Sequence, residues 1–556
     1  MQTYIYKYFF VAIFIIAALV RLIGLSTNPP ALNWDEVSHG YNAYSILKTG
    51  KDEWGKSFPL IFRAYGDYKL PAYIYTTVPF VWLLGLNAWS VRLPSVLAGT
   101  ASVILIYFLI KKVTKDEKIS VFAALFMALE SWTVLVSRAA LEANLANFFV
   151  LAAVFFFFRA KEGKTANLMF SFLFFGLSVW TYNTARVFTP LFVTGLLILY
   201  KKELFKNFTK INLLLSLLVL SLFFLPMIYQ LIMPQGQARY GLVAIINDNA
   251  LYEIGLLRQN TNYSPLITRF IYNRVTYFVP RFINNYISHF DPRFLFFRGS
   301  GHYQFSLPGV GLLSFVHVLT FYWGVLASLR ERKKWQILFL SWLLLAPLAA
   351  SVTRESPHAL RSLIMAPAAV VFIASGLKHI LDKIKVIFYK YVFLALYLAI
   401  LLLSYAAYIN YYTGEYRNNY SWSWQYGTKQ LVDYIKNRYE NYDKFLVTKK
   451  YGEPHEFILF YWPWDPADYR NDENLKRFYQ SNWYWVDSFD KFYFLNDWEI
   501  VKGPQYSFYL ESGDLVDCGE ARCLLITSAG NAPSDWDKID EIYFLNGDVA
   551  YEIYEE

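Results

Sequence analysis

The sequence predicts an all-α polytopic membrane domain of about eleven transmembrane helices, followed by a C-terminal α/β or α+β domain. Three observations carry this: an apolar composition, apolar runs of spanning length, and Lys and Arg concentrated in alternate loops. Of 556 residues, 56% are hydrophobic and 17% charged. Only a chain with lipid as much of its solvent can use that much apolar surface. The net charge of +9 resides in short loops beside apolar runs. Membrane topology accounts for it, and no nucleic-acid partner is expected.

A span needs ~20 predominantly apolar residues. Runs of that kind cover 5–25, 88–110, 119–137, 141–158, 166–182, 184–200, 211–231, 309–329, 335–352, 362–377 and 387–411. The first lacks a small-residue cleavage site and reads as a retained span rather than a removed signal. Segment 71–86 is apolar but short and holds Pro71, Pro79 and Gly85. A re-entrant or surface-lying pair of helices is expected there.

With the N-terminus in the cytoplasm, the inner loops become Lys111–Lys118, Arg159–Lys164, Lys201–Lys210, Arg330–Lys334 and Lys378–Lys390, each with at least three Lys or Arg. That is the positive-inside pattern of an integral plasma (inner) membrane protein. The outer side then receives loops 26–87 and 232–308 of a transmembrane domain spanning 1–411, and a soluble domain over 412–556. The tail is rich in Trp, Tyr, Asp and Asn. Lys444–Lys449, Phe492–Leu495 and Glu541–Leu545 alternate as strands, and 424–440 reads as an amphipathic helix. Trp422, Trp424, Trp462, Trp464, Trp483 and Trp485 suit a domain core and interface anchors better than a sugar platform. The two cysteines, Cys518 and Cys523, fit a local disulfide or two free thiols equally well.

The polar residues that a membrane chain does not require lie on the outer side. Asn33-Trp34-Asp35-Glu36 opens a segment whose pattern (Val37, Tyr41, Tyr44) predicts a helix on the membrane surface. Carboxylates at its start are favoured by the helix dipole, and serve either as a general base or as a cap. Ser137-Arg138…Glu142 occupies an outer turn. Arg138 and Glu142 either pair with each other or contact a ligand. Arg186 follows in the next turn, and Thr353-Arg354-Glu355-Ser356-Pro357-His358-Ala359-Leu360-Arg361 forms another. Arginines on the side that should be poor in them suit an anionic ligand. A lipid-linked phosphate reaches such a site from within the bilayer.

In Trp34-Asp35-Glu36, Asp67-Tyr68-Lys69-Leu70-Pro71-Ala72-Tyr73, Val91-Arg92-Leu93-Pro94-Ser95, Ser137-Arg138…Glu142 and Gly176-Leu177-Ser178…Tyr182…Arg186…Pro190, the chain resembles the GT-C superfamily of integral-membrane glycosyltransferases. It is most similar to the branch of protein O-mannosyltransferases and the lipid A aminoarabinose transferase. The resemblance covers roughly 1–200 and continues loosely through Asn285–Gly301 and Thr353–Arg361.

It implies transfer of a sugar from a polyprenyl-phosphate carrier to an acceptor hydroxyl on a lipid, glycan or protein, with inversion. Asp35 matches the acidic base, with Glu36 its neighbour and Glu142 a second acid. Lys69, Arg138 and Arg186 match donor-phosphate contacts. His358 and Arg361 are added to that set by topology. A divalent metal, Mg or Mn, would assist the phosphate, and Asp35 and Glu36 alone are insufficient to prove one. An oligosaccharyltransferase or ligase of the same architecture would carry a Trp-Trp-Asp-type motif in its outer domain. This chain has only Trp462-Pro463-Trp464-Asp465. A lipid-linked-sugar transporter would place polar residues deep inside its spans.

Overall fold

Apolar runs in hydrocarbon fold as helices because only a helix or a closed barrel satisfies the backbone without water. The computed structural model describes residues 2–556, with side chains from Tyr6 onward. Among the described residues, seven helical spans are long and apolar enough to cross a membrane: Ala88–Thr114, Glu142–Ala160, Asn183–Asn207, Lys210–Ile232, Lys334–Ser351, Leu363–Lys383 and Ile387–Asn419. A bent pair, Glu117–Leu129 and Ser131–Ser137, makes an eighth if counted as one span. The sequence count of about eleven is therefore higher than the number of full-length apolar helices. Gln2–Leu22 is helical, but runs 166–182 and 309–329 fold as the shorter helices Thr165–Val179 and Val318–Glu331. Segment 71–86 is one helix, Pro71–Leu84, rather than a pair, with Pro79 accommodated inside it.

Two compact units divide the chain. The first comprises Met1–Ile23, Ser95–Ser137 and Leu141–Ile409, and the second Gly24–Pro94, Arg138–Ala140 and Asn410–Glu556. Residues 24–94 thus group with the C-terminal residues, although the sequence boundary lies at 411.

In the first unit, the helix Lys210–Ile232 leaves most of its leucines uncovered, Leu222 being 65% exposed. That surface requires lipid. The 55° bend between Leu129 and Ser131 has a local cause. Glu130 leaves the helical backbone, its carboxylate accepts the Ser314 N–H at 2.7 Å, and it lies 2.6 Å from Nε2 of the buried His317. Ser131 Oγ donates to the Gly311 carbonyl at 2.6 Å. Helices Val318–Glu331 and Ala366–Lys383 approach so closely at Gly324 and Gly376 that a β-carbon on either would overlap the backbone of the other. Small residues permit such helix pairs in membranes.

The second unit is built on a seven-stranded mixed sheet. A short hairpin, β1 (Phe62–Arg63) with β2 (Tyr68–Lys69), precedes it. Its strands are β3 (Lys444–Thr448), β4 (Lys476–Gln480), β5 (Trp483–Phe489), β6 (Phe492–Leu495), β9 (Cys523–Thr527), β10 (Asp537–Tyr543) and β11 (Val549–Glu555). The order is β10-β11-β9-β3-β6-β5-β4, with β3 parallel to both β6 and β9. The remaining strands, β7 (Ser507–Tyr509) and β8 (Leu515–Asp517), form a separate hairpin.

Alternation along β3 sends Phe445 and Val447 to one face and Leu446 to the other, so the sheet carries a core on each side. The helix Thr428–Arg438, within the expected 424–440, packs its Leu431, Val432 and Ile435 on the first face. Cys518 and Cys523 are joined by a disulfide and lie in the second core. Of the aromatic set, Trp424 is fully buried, Trp462 and Trp464 pack against the first core, and Trp422 is exposed.

Candidate functional site

The sequence-predicted residues fall in both units. Asp35, Glu36, Lys69 and Arg138 belong to the second, and Glu142, Arg186, His358 and Arg361 to the first.

In the second unit, Asn33 caps the helix Trp34–Thr49, and Glu36 completes a capping box. Glu36 does more than cap. Oε1 accepts from Arg92 Nε at 2.8 Å and from the Ala140 N–H at 2.9 Å. Oε2 accepts from Arg92 Nη2 at 3.0 Å and from the Asn33 N–H at 3.1 Å. Both side chains are 0% exposed. Arg92 spends its remaining donors on the carbonyls of Leu25, Pro29 and Ala31. This arrangement corrects the expectation that Glu36 shares chemistry with Asp35. With each oxygen doubly bonded and no water access, Glu36 anchors the loop. A divalent metal beside Asp35 would therefore draw its other ligands from elsewhere. Among the described residues, no group of three or more His, Cys, Asp or Glu is placed to hold one.

Asp35 differs from its neighbour in access. Its carboxylate keeps 30% exposure and pairs with Lys69 Nζ, which the β1–β2 hairpin presents. The ion pair leaves one face of the carboxylate accessible. Arg138 donates through Nε and Nη2 to the Asn28 carbonyl at 3.2 and 3.0 Å, and lies 5.7 Å from the centroid of the Tyr412 ring.

The helix expected on the membrane surface is instead buried over most of its length, from Glu36 to Ala43. The cause is the C-terminal helix Pro454–Tyr461, whose Phe460 lies against Gly40. His39 on this helix is consequently 0% exposed.

The further buried acids of this unit include Glu53, Glu453 and Glu456. Trp54 Nε1 donates to Glu53 at 3.0 Å, and Trp483 Nε1 to Glu453 at 2.7 Å. Burial pushes Glu453 up to about 7. It also raises Glu53 and Glu456, which hydrogen-bond each other, a pair that favours one shared proton. Glu453 and Glu456 carried no motif, and only the fold gathers them with Glu53.

In the first unit, Arg186 donates through Nε to the Val179 carbonyl at 3.1 Å and through Nη2 to Gln230 Oε1. Arg361 donates to Thr353 Oγ1 at 2.8 Å and to Glu355 Oε2 at 2.9 Å. Burial pulls Arg361 below the ordinary arginine value. Both arginines line a cavity of about 320 Å³ together with Arg239, Tyr182 and Gln237. No Asp or Glu lines it. Arg239 was visible in the sequence only as one of many arginines in loop 232–308. The cavity lies where Asn183–Asn207 begins and Lys210–Ile232 ends.

His358 departs from its expected part. Its Nδ1 accepts the Arg361 N–H at 3.3 Å, and its own N–H donates to His289 Nε2 at 3.3 Å. Burial and the adjacent Arg361 hold it well below the usual histidine range. Through these bonds His358 supports the turn carrying Arg361. Glu142 opens the helix Glu142–Ala160 and is half-buried.

These features and the fold define the class: an integral membrane protein of apolar helical spans joined to a mixed-sheet unit. Comparison with known proteins is consistent with it. The family model described as dolichyl-phosphate-mannose-protein mannosyltransferase matches residues 69–229. YkcB of Bacillus subtilis (strain 168), named as a mannosyltransferase, is 33% identical over 119 residues, 21% of this chain and 16% of that protein. The match thus spans under one fifth of that curated relative. ArnT from Cupriavidus metallidurans, solved bound to undecaprenyl phosphate, superposes with a TM-score of 0.55 at 10% identity, covering 98% of this chain and 97% of that one. The Archaeoglobus fulgidus oligosaccharyltransferase tethered to an acceptor peptide gives a TM-score of 0.51 at 14% identity, covering 82% and 63%.

Proposed function

We infer that this protein is a membrane glycosyltransferase that moves a sugar from a polyprenyl-phosphate carrier to an acceptor hydroxyl on the extracytoplasmic side, with inversion. The observation that carries this reading is the acid-free cavity lined by Arg186, Arg239 and Arg361 at the ends of membrane spans. A phosphate on a lipid chain arrives at that depth, and guanidinium groups hold it through paired donors.

In the proposed reaction, the acceptor oxygen attacks the anomeric carbon while the bond from that carbon to the carrier phosphate breaks. The leaving phosphate takes the bonding pair, and fixed cations stabilise its growing charge. Asp35 takes the acceptor proton, and its ion pair with Lys69 positions it. Glu36 and Arg92 position this loop and do not touch the reacting atoms. The positive-inside pattern supports a cytoplasmic N-terminus and an extracytoplasmic C-terminal domain.

The test uses the purified full chain in nanodiscs with a panel of polyprenyl-phosphate sugars and measures release of the free carrier phosphate. Wild type is expected to consume at least one donor, and Asp35→Asn to lose turnover by at least about a hundredfold while remaining folded. Consumption of pyrophosphate-linked glycans alone would favour the oligosaccharyltransferase reading. Undiminished turnover by Asp35→Asn would remove Asp35 as the base.

A further inference from the structure

The segment between the cavity-lining helix Pro234–Val243 and the turn at His289 forms three short helices, Asp248–Gln259, Pro265–Ile271 and Arg274–Ser288. None qualifies as a span, yet they expose an apolar surface that water does not tolerate. Along Arg274–Ser288, Val275, Val279, Ile283 and Ile287 recur every four residues, so they form a single stripe, and all are exposed. Leu266 and Phe270, one turn apart on Pro265–Ile271, are 83% and 82% exposed.

The opposite side of the last helix is the one that meets the protein. There Asn285 Nδ2 donates to the Ser351 and Thr353 carbonyls at 3.2 and 2.9 Å, while Tyr286 Oη, at the edge of the stripe, donates to the Leu344 carbonyl at 2.8 Å. An amphipathic helix on a water-soluble body packs the other way round, with its apolar stripe inward. Here polar anchors face the body and the apolar stripe faces out.

We propose that residues 248–288 form an in-plane paddle that lies in the headgroup layer of an anionic bilayer, on the side where Lys210–Ile232 emerges. Two observations select a lipid surface as the occupant. The paddle follows that span after one ten-residue helix, Pro234–Val243, so the tether holds it near the leaflet. Its charge also complements anionic headgroups: four arginines (Arg258, Arg269, Arg274 and Arg281) stand against Asp248 and Glu253. Apolar burial combined with basic residues is how interfacial helices bind.

Spin labels test this on the full chain in vesicles of phosphatidylcholine and phosphatidylglycerol. The native cysteines are joined to each other, so only an introduced thiol takes the label. Leu266→Cys, Phe270→Cys and Ile283→Cys replace exposed side chains and leave the core untouched. Asn260→Cys, in the polar turn between helices, serves as the aqueous reference. The expected result is accessibility to oxygen exceeding that to a water-soluble nickel chelate at 266, 270 and 283, with the reverse at 260. Water-like accessibility at those three positions would overturn the proposal. So would dipolar broadening between labels on two chains, which would make a second copy the occupant.

Discussion

Gly452 and Trp34 occupy each other's space: a β-carbon on Gly452 would overlap the Trp34 indole. Gly452 also holds a φ of +115°, open to few other residues. Trp34 immediately precedes Asp35, so this contact sets where the helix carrying Asp35 begins. Gly452→Ala is expected to cost about 2–4 kcal/mol through overpacking and backbone strain. It should lower carrier release in proportion to the displacement of Asp35, measured as thermal unfolding beside turnover.

Adjacent acids are expected to fail differently. Glu36→Gln leaves the Arg92 guanidinium buried with weaker compensation, and should cost roughly 3–5 kcal/mol. Asp35→Asn removes a partly exposed charge and should cost within about 1 kcal/mol while removing turnover. Differential scanning fluorimetry of both variants separates anchor from base. A stability loss confined to Asp35→Asn would reverse the assignment.

The arginine cavity makes a binding prediction. Arg239→Ala or Arg361→Ala removes a charged donor worth about 1.5–3 kcal/mol, a roughly tenfold to hundredfold weakening of polyprenyl-phosphate binding. Arg→Lys at either position should recover only part, because an ammonium lacks the paired donors. Titration calorimetry in nanodiscs with the carrier phosphate alone reads this without any reaction.

The buried acids predict a pH dependence. Glu453, raised to about 7, is protonated in the folded chain over a range where the unfolded chain has lost its proton. The stability it contributes is therefore fully present below about pH 4.5 and is lost as pH rises through about 7. The Glu53–Glu456 pair acts in the same direction. Hydrogen exchange in strands β3 and β5 should slow on moving from pH 7.5 to 5.5, after correction for the intrinsic exchange rate. Glu453→Gln should flatten that trend.

Particular residues show where the sequence was readable. The loop of Arg159–Lys164, the apolar run 211–231 and the alternation in Phe492–Leu495 each reflect a local rule of charge placement, span length or pleat. Their helices and strands stand where those rules put them. Asp35 and Lys69 were singled out separately, and the hairpin β1–β2 joins them. Arg92 was quoted only as part of a pattern, because nothing local reveals that its partner is 56 positions away.

The amino-acid order by itself determined the membrane class, the helical character of the apolar runs and several strands of the C-terminal region, since hydropathy and periodicity act over tens of neighbouring residues. Tertiary structure decided which carboxylate stays accessible, that burial and Arg361 hold His358 below the usual histidine range, and that Arg239 joins Arg186 and Arg361 around one cavity. Those properties depend on burial and on partners distant in the chain, and a side chain's charge state follows its surroundings rather than its neighbours in sequence.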